Sequence, residues 1–239
     1  AALPWLDPPP SAALAAALPW LDPPPSAALA AAKATLQALG ALDAAGRITQ
    51  HGRSMAALPM APQLAHMLLY AAQHGAARDA ALLALLLQER GLGGRGEDLA
   101  ARLDRWKHER GGRAEASRKL AERWERRAKE LAGNGSGEAP PLGVLLAEAW
   151  PGNIARRRDS SGENWLTAGG RGLRLDPASP LARAEWLAVG EAQGEAKGAR
   201  ITGAIAIDES EVTRWLAHRI EKRSTLRWFP DEDRVAALL

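Results

Sequence analysis

The chain has 239 residues, enough for two or three small domains with cores of their own. It contains no cysteine, which excludes a disulfide framework and thiolate metal sites and suits a reducing cytosol. A net charge of +3 and a pI near 9.6 permit a nucleic-acid partner without requiring one. No apolar run approaches the roughly 18 residues needed to span a bilayer. Asp7 and the prolines after it stand where a signal peptide would carry its apolar core, so the sequence reads as cytoplasmic, with no membrane partner.

Residues 1–15 recur identically at 16–30. Exact identity over such a length is unlike solenoid repeats, which keep only a few positions, and one copy suffices to enter one helix. The first copy reads as a recent duplication or an assembly artefact without structure of its own. Trp20 and the prolines Pro23, Pro24 and Pro25 form a turn before an Ala/Leu helix over 27–39. Ser26 is placed to cap that helix, and Gly40 to end it. A turn at 43–46 leads to a candidate strand at 47–50, which would be the wing of a winged-helix module. Helices follow at 51–57 and 62–74, the second started by Pro62 and carrying Leu64, Met67, Leu68 and Ala71 on one face. The Leu/Ala run at 77–89 lacks β-branched residues and reads as a buried helix.

After the GLGGRG loop at 91–96 come two charged amphipathic helices, 97–108 and 114–131. The second has Leu120, Trp124 and Leu131 on its apolar side and opposite charges at i,i+4, as in Glu122 and Arg126. GNGSGEAPP at 133–141 is a linker. Beyond a helix at 142–150 the pattern becomes β-rich, with strands at 154–158, 165–166, 172–175, 185–190 and 200–207. A helix at 209–219 precedes a hairpin, 226–229 and 234–238, around the turn PDED. Short strands with a helix before the last pair suggest a small barrel of the OB type, cut at Leu239.

Most apparent catalytic motifs fail on context. GLGGRG spells G-x-G-x-x-G, but a helix precedes it and charged helix follows, so it reads as an interhelix loop rather than a dinucleotide site. Ile205, Ala206, Ile207, Asp208 and Glu209 resemble a magnesium-holding strand end, yet the chain has no phosphate loop. Asp208 with Glu211 fits a capping box instead. His51, His66, His74, His108 and His218 show no ligand spacing, so no metal site is expected, and His66 reads as packing on a helix face. The basic features remain. Arg156 and Arg158 alternate onto one strand face, with Arg157 on the other. Arg171 and Arg174 follow nearby, and Trp165 is available for stacking. Small barrels hold single strands with such cations and aromatic platforms. The arginines and lysines of 97–131 are interspersed with acids and read mainly as a solvated face.

Several segments carry a resemblance: LPWLDPPP, LQALGALDxxGRIT and HGRxMAxLPxxPxLAHMLL, then GVLLAEAWPGNIARRR, GRGLRL, EWLAVGEAQG and HRIEKRSTLRWFPDEDRVAAL. Together they resemble the region after the two motor domains in bacterial HrpB-type DExH-box helicases. The resemblance implies an α+β multidomain chain with a winged helix at 16–76, a helical ratchet-like domain at 77–132, the linker 133–141 and an OB-like domain at 142–239. It implies ATP-dependent remodelling of nucleic acid, RNA before DNA. ATP and magnesium belong to motor domains whose motifs are absent here, so no catalytic residue carries over. The implied partners are single-stranded RNA or DNA and the motor domains of the same chain. The expected nucleic-acid contacts are Arg156, Arg158, Trp165, Arg171 and Arg174. Two rival readings stand beside this one: a docking module that never touches nucleic acid, and a free-standing winged-helix DNA binder.

Overall fold

The computed structural model describes residues 25–194 and 198–220, and the backbone of two strands at 225–229 and 234–238. The first 15-residue copy, the Trp20 turn up to Pro24 and the PDED turn lie outside the described residues.

Helix α1 (Ser26–Ala38) is built from strong helix formers. Ser26 is its first helical residue, not its cap. Pro25 holds the N-cap position and no side chain bonds to the first turn, which corrects the expected capping role. The C-terminus is as expected: Gly40 follows it, and the Ala41 amide donates back to the Leu36 carbonyl at 2.8 Å. The expected strand at 47–50 shrinks to a single bridge between Leu42 and Ile48. Thr49 is already committed elsewhere: its hydroxyl accepts from the Gly52 amide and caps α2 (Gln50–Ala56), so the chain turns helical where the strand should continue.

Helices α3 (Pro62–Gln73) and α4 (Ala77–Gln88) are buried along most of their length. Helix α5 (Leu99–His108) starts at Asp98, whose carboxylate accepts from the Ala101 amide. Helix α6 (Gly112–Ala132) buries Ala114, Ser117, Ala121, Trp124 and Ala128. Of the residues expected on its apolar side, Trp124 is central and Leu120 and Leu131 pack at the margin. Small residues at helical spacing let α6 approach α3 and α4 closely, and Leu at those positions would hold the helices apart. The segment after α6 lies against the end of α3, the Gly135 amide donating to Ala72 O at 2.9 Å. Helix α7 (Leu142–Ala149) is buried on all sides.

Five short strands then close a barrel: β1 (Ile154–Arg157), β2 (Asn164–Thr167), β3 (Gly172–Arg174), β4 (Trp186–Gln193) and β5 (Ala199–Ile207). Their order is β1-β2-β3-β5-β4, with β4 back on β1 and only β3 and β5 parallel. Each was legible as a strand. The barrel core is Ala155, Trp165, Leu173, Leu187, Val189, Ile201 and their neighbours. Alternate residues of the same strands, Ala188, Ile205 and Ile207, point outward and join the helical core through α7. The chain is thus a mixed α+β structure whose helices and barrel share a packed wall.

Helix α8 (Glu209–Trp215) opens with the expected capping box of Asp208 and Glu211. Among the described residues, strands β6 (Thr225–Phe229) and β7 (Arg234–Leu238) pair only with each other. The hairpin therefore does not complete the barrel, as the sequence pattern suggested, because β4 already closes on β1.

Candidate nucleic-acid interface

The outer face of the barrel follows from strand register. Arg156 stands opposite Leu166 on β2 and Trp186 on β4, and Leu166 stands opposite Gly172. One step along, Asn164 pairs with Arg174, and Arg174 with Arg200 on β5. Arg158 follows β1, its amide bonded to Asn164 O at 2.8 Å. Alternation places Arg156, Arg158, Arg174 and Arg200 on one exposed face. Arg158, Asn164, Leu166, Gly172, Arg174 and Gly198 line a shallow groove across it.

Most of these cations have an acidic neighbour. Arg156 donates to Glu185 at 2.9 Å and lies 5.1 Å from the centre of the Trp186 ring. Arg174 pairs with Glu163, and Arg200 with Glu97 at 3.2 Å. These pairs are solvent-exposed, so each contributes little to stability and a stronger anion can displace the carboxylate. The Arg158 guanidinium has no partner among the described residues. Arg157 faces the other way, as expected, and donates to the Ala182 and Arg183 carbonyls. Arg171 sits in the β2–β3 turn, where its amide donates to the Thr167 hydroxyl.

Trp165 is not on this face. It is 1% exposed, fills the barrel interior, and its Nε1 donates to Gly162 O at 2.7 Å. The expectation of a stacking platform is corrected by strand parity: Trp165 pairs with Leu173 on the inner side. Arg200, by contrast, was missed. It sits at the start of an apolar strand, and only the parallel β3–β5 register brings it beside Arg174.

The β1–β2 loop that borders the groove is held by Asp159. Its carboxylate accepts from the Ser161 hydroxyl and the Asn164 side chain, each at 2.7 Å, and from the Asn164 and Gly162 amides. Those donors, the Ser161 hydroxyl first, lower its pKa from 3.8 to about 2. Gly162 has φ +73°, and a Cβ there would meet Ala182 O at 2.1 Å, so the loop also needs glycine. A depressed carboxylate pKa means the loop's order is fully present above pH 3.8 and fades as pH falls towards 2. Hydrogen exchange should therefore find the Gly162 and Asn164 amides protected at neutral pH and exposed in Asp159→Ala. Equal protection in the variant would show that Asp159 does not order the loop.

A second charged centre lies under the barrel. Glu148 on α7 is 1% exposed. Both Arg219 Nε and Nη2 donate to its Oε2, at 3.0 and 2.6 Å. His218 Nε2 is 3.4 Å from Oε1, and His66 Nε2 is 3.6 Å from Oε2. His51 Nε2 touches His66 Nδ1 at 2.9 Å. Histidines that look scattered in sequence are thus gathered on one carboxylate. His66 does sit on a helix face, but it faces a charge. Among the described residues no set of His, Asp and Glu is arranged to hold a metal ion.

The comparisons agree with this architecture. The helicase-associated domain family (HA2), winged-helix, matches residues 34–60. The ATP-dependent RNA helicase HrpB of Escherichia coli (strain K12) is 35% identical over 235 residues, covering 95% of this chain and 25% of that protein. The crystal structure of the E. coli DExH-box NTPase HrpB superposes with a TM-score of 0.73 at 33% identity, over 91% of this chain and 26% of that one. Over nearly its whole length the chain is similar to a C-terminal region of HrpB-type helicases. A second crystal structure, of the Escherichia coli DEAH/RHA helicase HrpB, gives a TM-score of 0.71 at 30% identity. The chain spans about a quarter of the length of these HrpB proteins. No helix among the described residues is long and apolar enough to cross a membrane.

Proposed function

We propose that this chain is a non-catalytic accessory region of an ATP-dependent helicase, bracing the motor domains and holding single-stranded nucleic acid, RNA before DNA, as they step. The observation that carries the nucleic-acid contact is the exposed arginine row, Arg156, Arg158, Arg174 and Arg200, across the outer face of β1, β2, β3 and β5. The order β1-β2-β3-β5-β4 suits an OB-type barrel, in which the β2–β3 face and the β1–β2 and β4–β5 loops bind strands. Arg158 and Arg174 line the groove on that face. Arg171 stands at its edge. In this reading residues 16–76 are the winged helix, 77–132 the ratchet-like helices, 133–141 the linker and 142–239 the OB-like domain, within a cytoplasmic enzyme.

ATP and magnesium enter only through the motor domains. This sequence has no phosphate loop, and no carboxylate set among the described residues fits the metal.

A titration of labelled single-stranded RNA at several salt concentrations tests the proposal, with duplex DNA as control. Preferential single-strand binding should weaken steeply with salt. Arg156→Ala with Arg158→Ala should reduce the salt slope by roughly 0.7 for each phosphate that is no longer neutralised. Unchanged affinity and slope in a folded double variant would remove the barrel face from the interface.

One observation favours the docking reading: α1 has no fully buried residue, and beyond the half-buried Leu29, Lys33 and Leu36 its residues are exposed among the described ones. Bracing and strand contact are compatible, so docking is part of the proposal. The duplex-reader alternative fares worse. Leu64, Ala65, Met67, Leu68, Leu69, Ala71 and Ala72 of α3 are buried, which leaves that helix little surface to enter a major groove.

A further inference from the structure

The GLGGRG loop has a role that its motif does not disclose. It forms one wall of a cavity of about 990 Å³ between the end of α4 and the β4–β5 edge of the barrel. That volume is at the upper end of the range for small-molecule sites. The walls are firmly built. Arg105 donates to the carbonyls of Gly93 and Arg95, which pins the loop to α5. A Cβ on Gly93 would meet Arg102 O at 2.0 Å, so only glycine allows this closeness. On the far side Ala204 N bonds to Glu97 O, tying the loop's exit to β5. β4 breaks register around Glu191, and such irregularities re-aim side chains.

The charged lining is net positive, with Arg90, Arg95 and Arg102 against Glu89 and Glu191. Arg102 is 9% exposed, and its Nε has no hydrogen-bond partner. Its Nη1 lies 3.7 Å from Glu191 Oε2, too far for a hydrogen bond. A buried guanidinium left with open donors is rare and needs an acceptor. Arg90 and Arg95 are exposed at the rim, and their guanidinium groups have no partner among the described residues. Of the two acids, Glu89 is engaged by the Ser117 hydroxyl. Three arginines against two carboxylates leave the lining net positive, and an anion with several acceptor oxygens would satisfy the open guanidinium donors.

We infer that this cavity binds a phosphoryl group, carried by a nucleic-acid strand or by a free nucleotide, with Arg102 at its floor and Arg90 and Arg95 at its rim. The site is separate from the arginine row on the barrel face, so either assignment can fail alone.

The test uses the whole chain with two probes, inorganic pyrophosphate by calorimetry and labelled single-stranded RNA by anisotropy. Arg102→Gln removes the floor charge, and Arg90→Ala with Arg95→Ala removes the rim while leaving the packed interior intact. Each is expected to weaken pyrophosphate about tenfold or more, as the loss of a charge-assisted hydrogen bond does. If RNA displaces pyrophosphate, or if RNA alone binds and the cavity variants weaken it, the phosphoryl group belongs to a strand. If pyrophosphate binds without competition from RNA, the site serves a free nucleotide. Should Arg102→Gln fail to fold, the rim variant decides. If neither probe depends on the cavity arginines, the proposal is wrong.

Discussion

Replacing Glu148 by alanine is expected to cost this fold about 3–5 kcal/mol, the range for breaking a buried ion pair from one side. The carboxylate is the meeting point of α3, α7 and the turn Ala217–Arg219. Its removal leaves the Arg219 guanidinium without its acceptor, and His66 and His218 without the carboxylate they face. Burial by itself would raise the Glu148 pKa. The His66 imidazole and the Arg219 guanidinium beside it more than offset that, and the net direction is down from 4.5. His51 moves the same way as Glu148: burial first, then the neighbouring His66, holds its pKa below 6.5.

The signs add. For His51 the unfolded chain binds a proton first, so stability is complete above pH 6.5 and is lost as pH falls from there towards the folded value. For Glu148 stability is complete above pH 4.5 and is lost as pH falls through the lower, folded value. Urea unfolding against pH should therefore show two successive losses on acidification. His51→Gln should remove the upper one and Glu148→Gln the lower one. A flat profile from neutrality to pH 4.5 in the unaltered protein would refute the His51 contribution.

This centre marks the limit of what was legible. The barrel strands could be read because glycine, proline, Asp and Asn punctuate short alternating runs, and the capping box at Asp208 because its residues are three apart. Local rules suffice for both. The Glu148 cluster joins residues from α2, α3, α7 and the Ala217–Arg219 turn, and no local pattern announces such a meeting. The same holds for Arg200, whose place beside Arg174 depends on a parallel pairing across the barrel. The wing strand at 47–50 failed for the opposite reason. Thr and Ile favour strands, but the Thr49 hydroxyl is better used as a helix cap, and one local preference displaced another. Ser26 stands one residue past the cap position, in the first turn of α1. The arginine row was half visible: parity along β1 correctly put Arg156 and Arg158 together, while the same parity along β2 was not applied to Trp165.

That tryptophan separates fold from function most cleanly. Trp165→Ala is expected to cost about 3–5 kcal/mol, the range for truncating a large buried aromatic. The barrel core it belongs to is otherwise aliphatic, with Leu173, Leu175, Leu181, Leu187, Val189 and Ile201 among several alanines. The hydrogen bond from Nε1 to Gly162 O adds a local consequence, since it ties the barrel interior to the β1–β2 loop beside Arg158. Trp165→Leu is the sharper variant. It fills much of the volume but offers no ring. If Trp165 is a core residue, Trp165→Leu lowers the urea midpoint, and the affinity of the remaining folded protein for single-stranded RNA stays within about twofold, well short of the 1–3 kcal/mol that a stacked base loses. If the ring stacks on a base, the pattern reverses: stability holds and affinity drops about tenfold. The first outcome leaves the proposed strand contact to cations alone, which makes it strongly salt-dependent and indifferent to base identity.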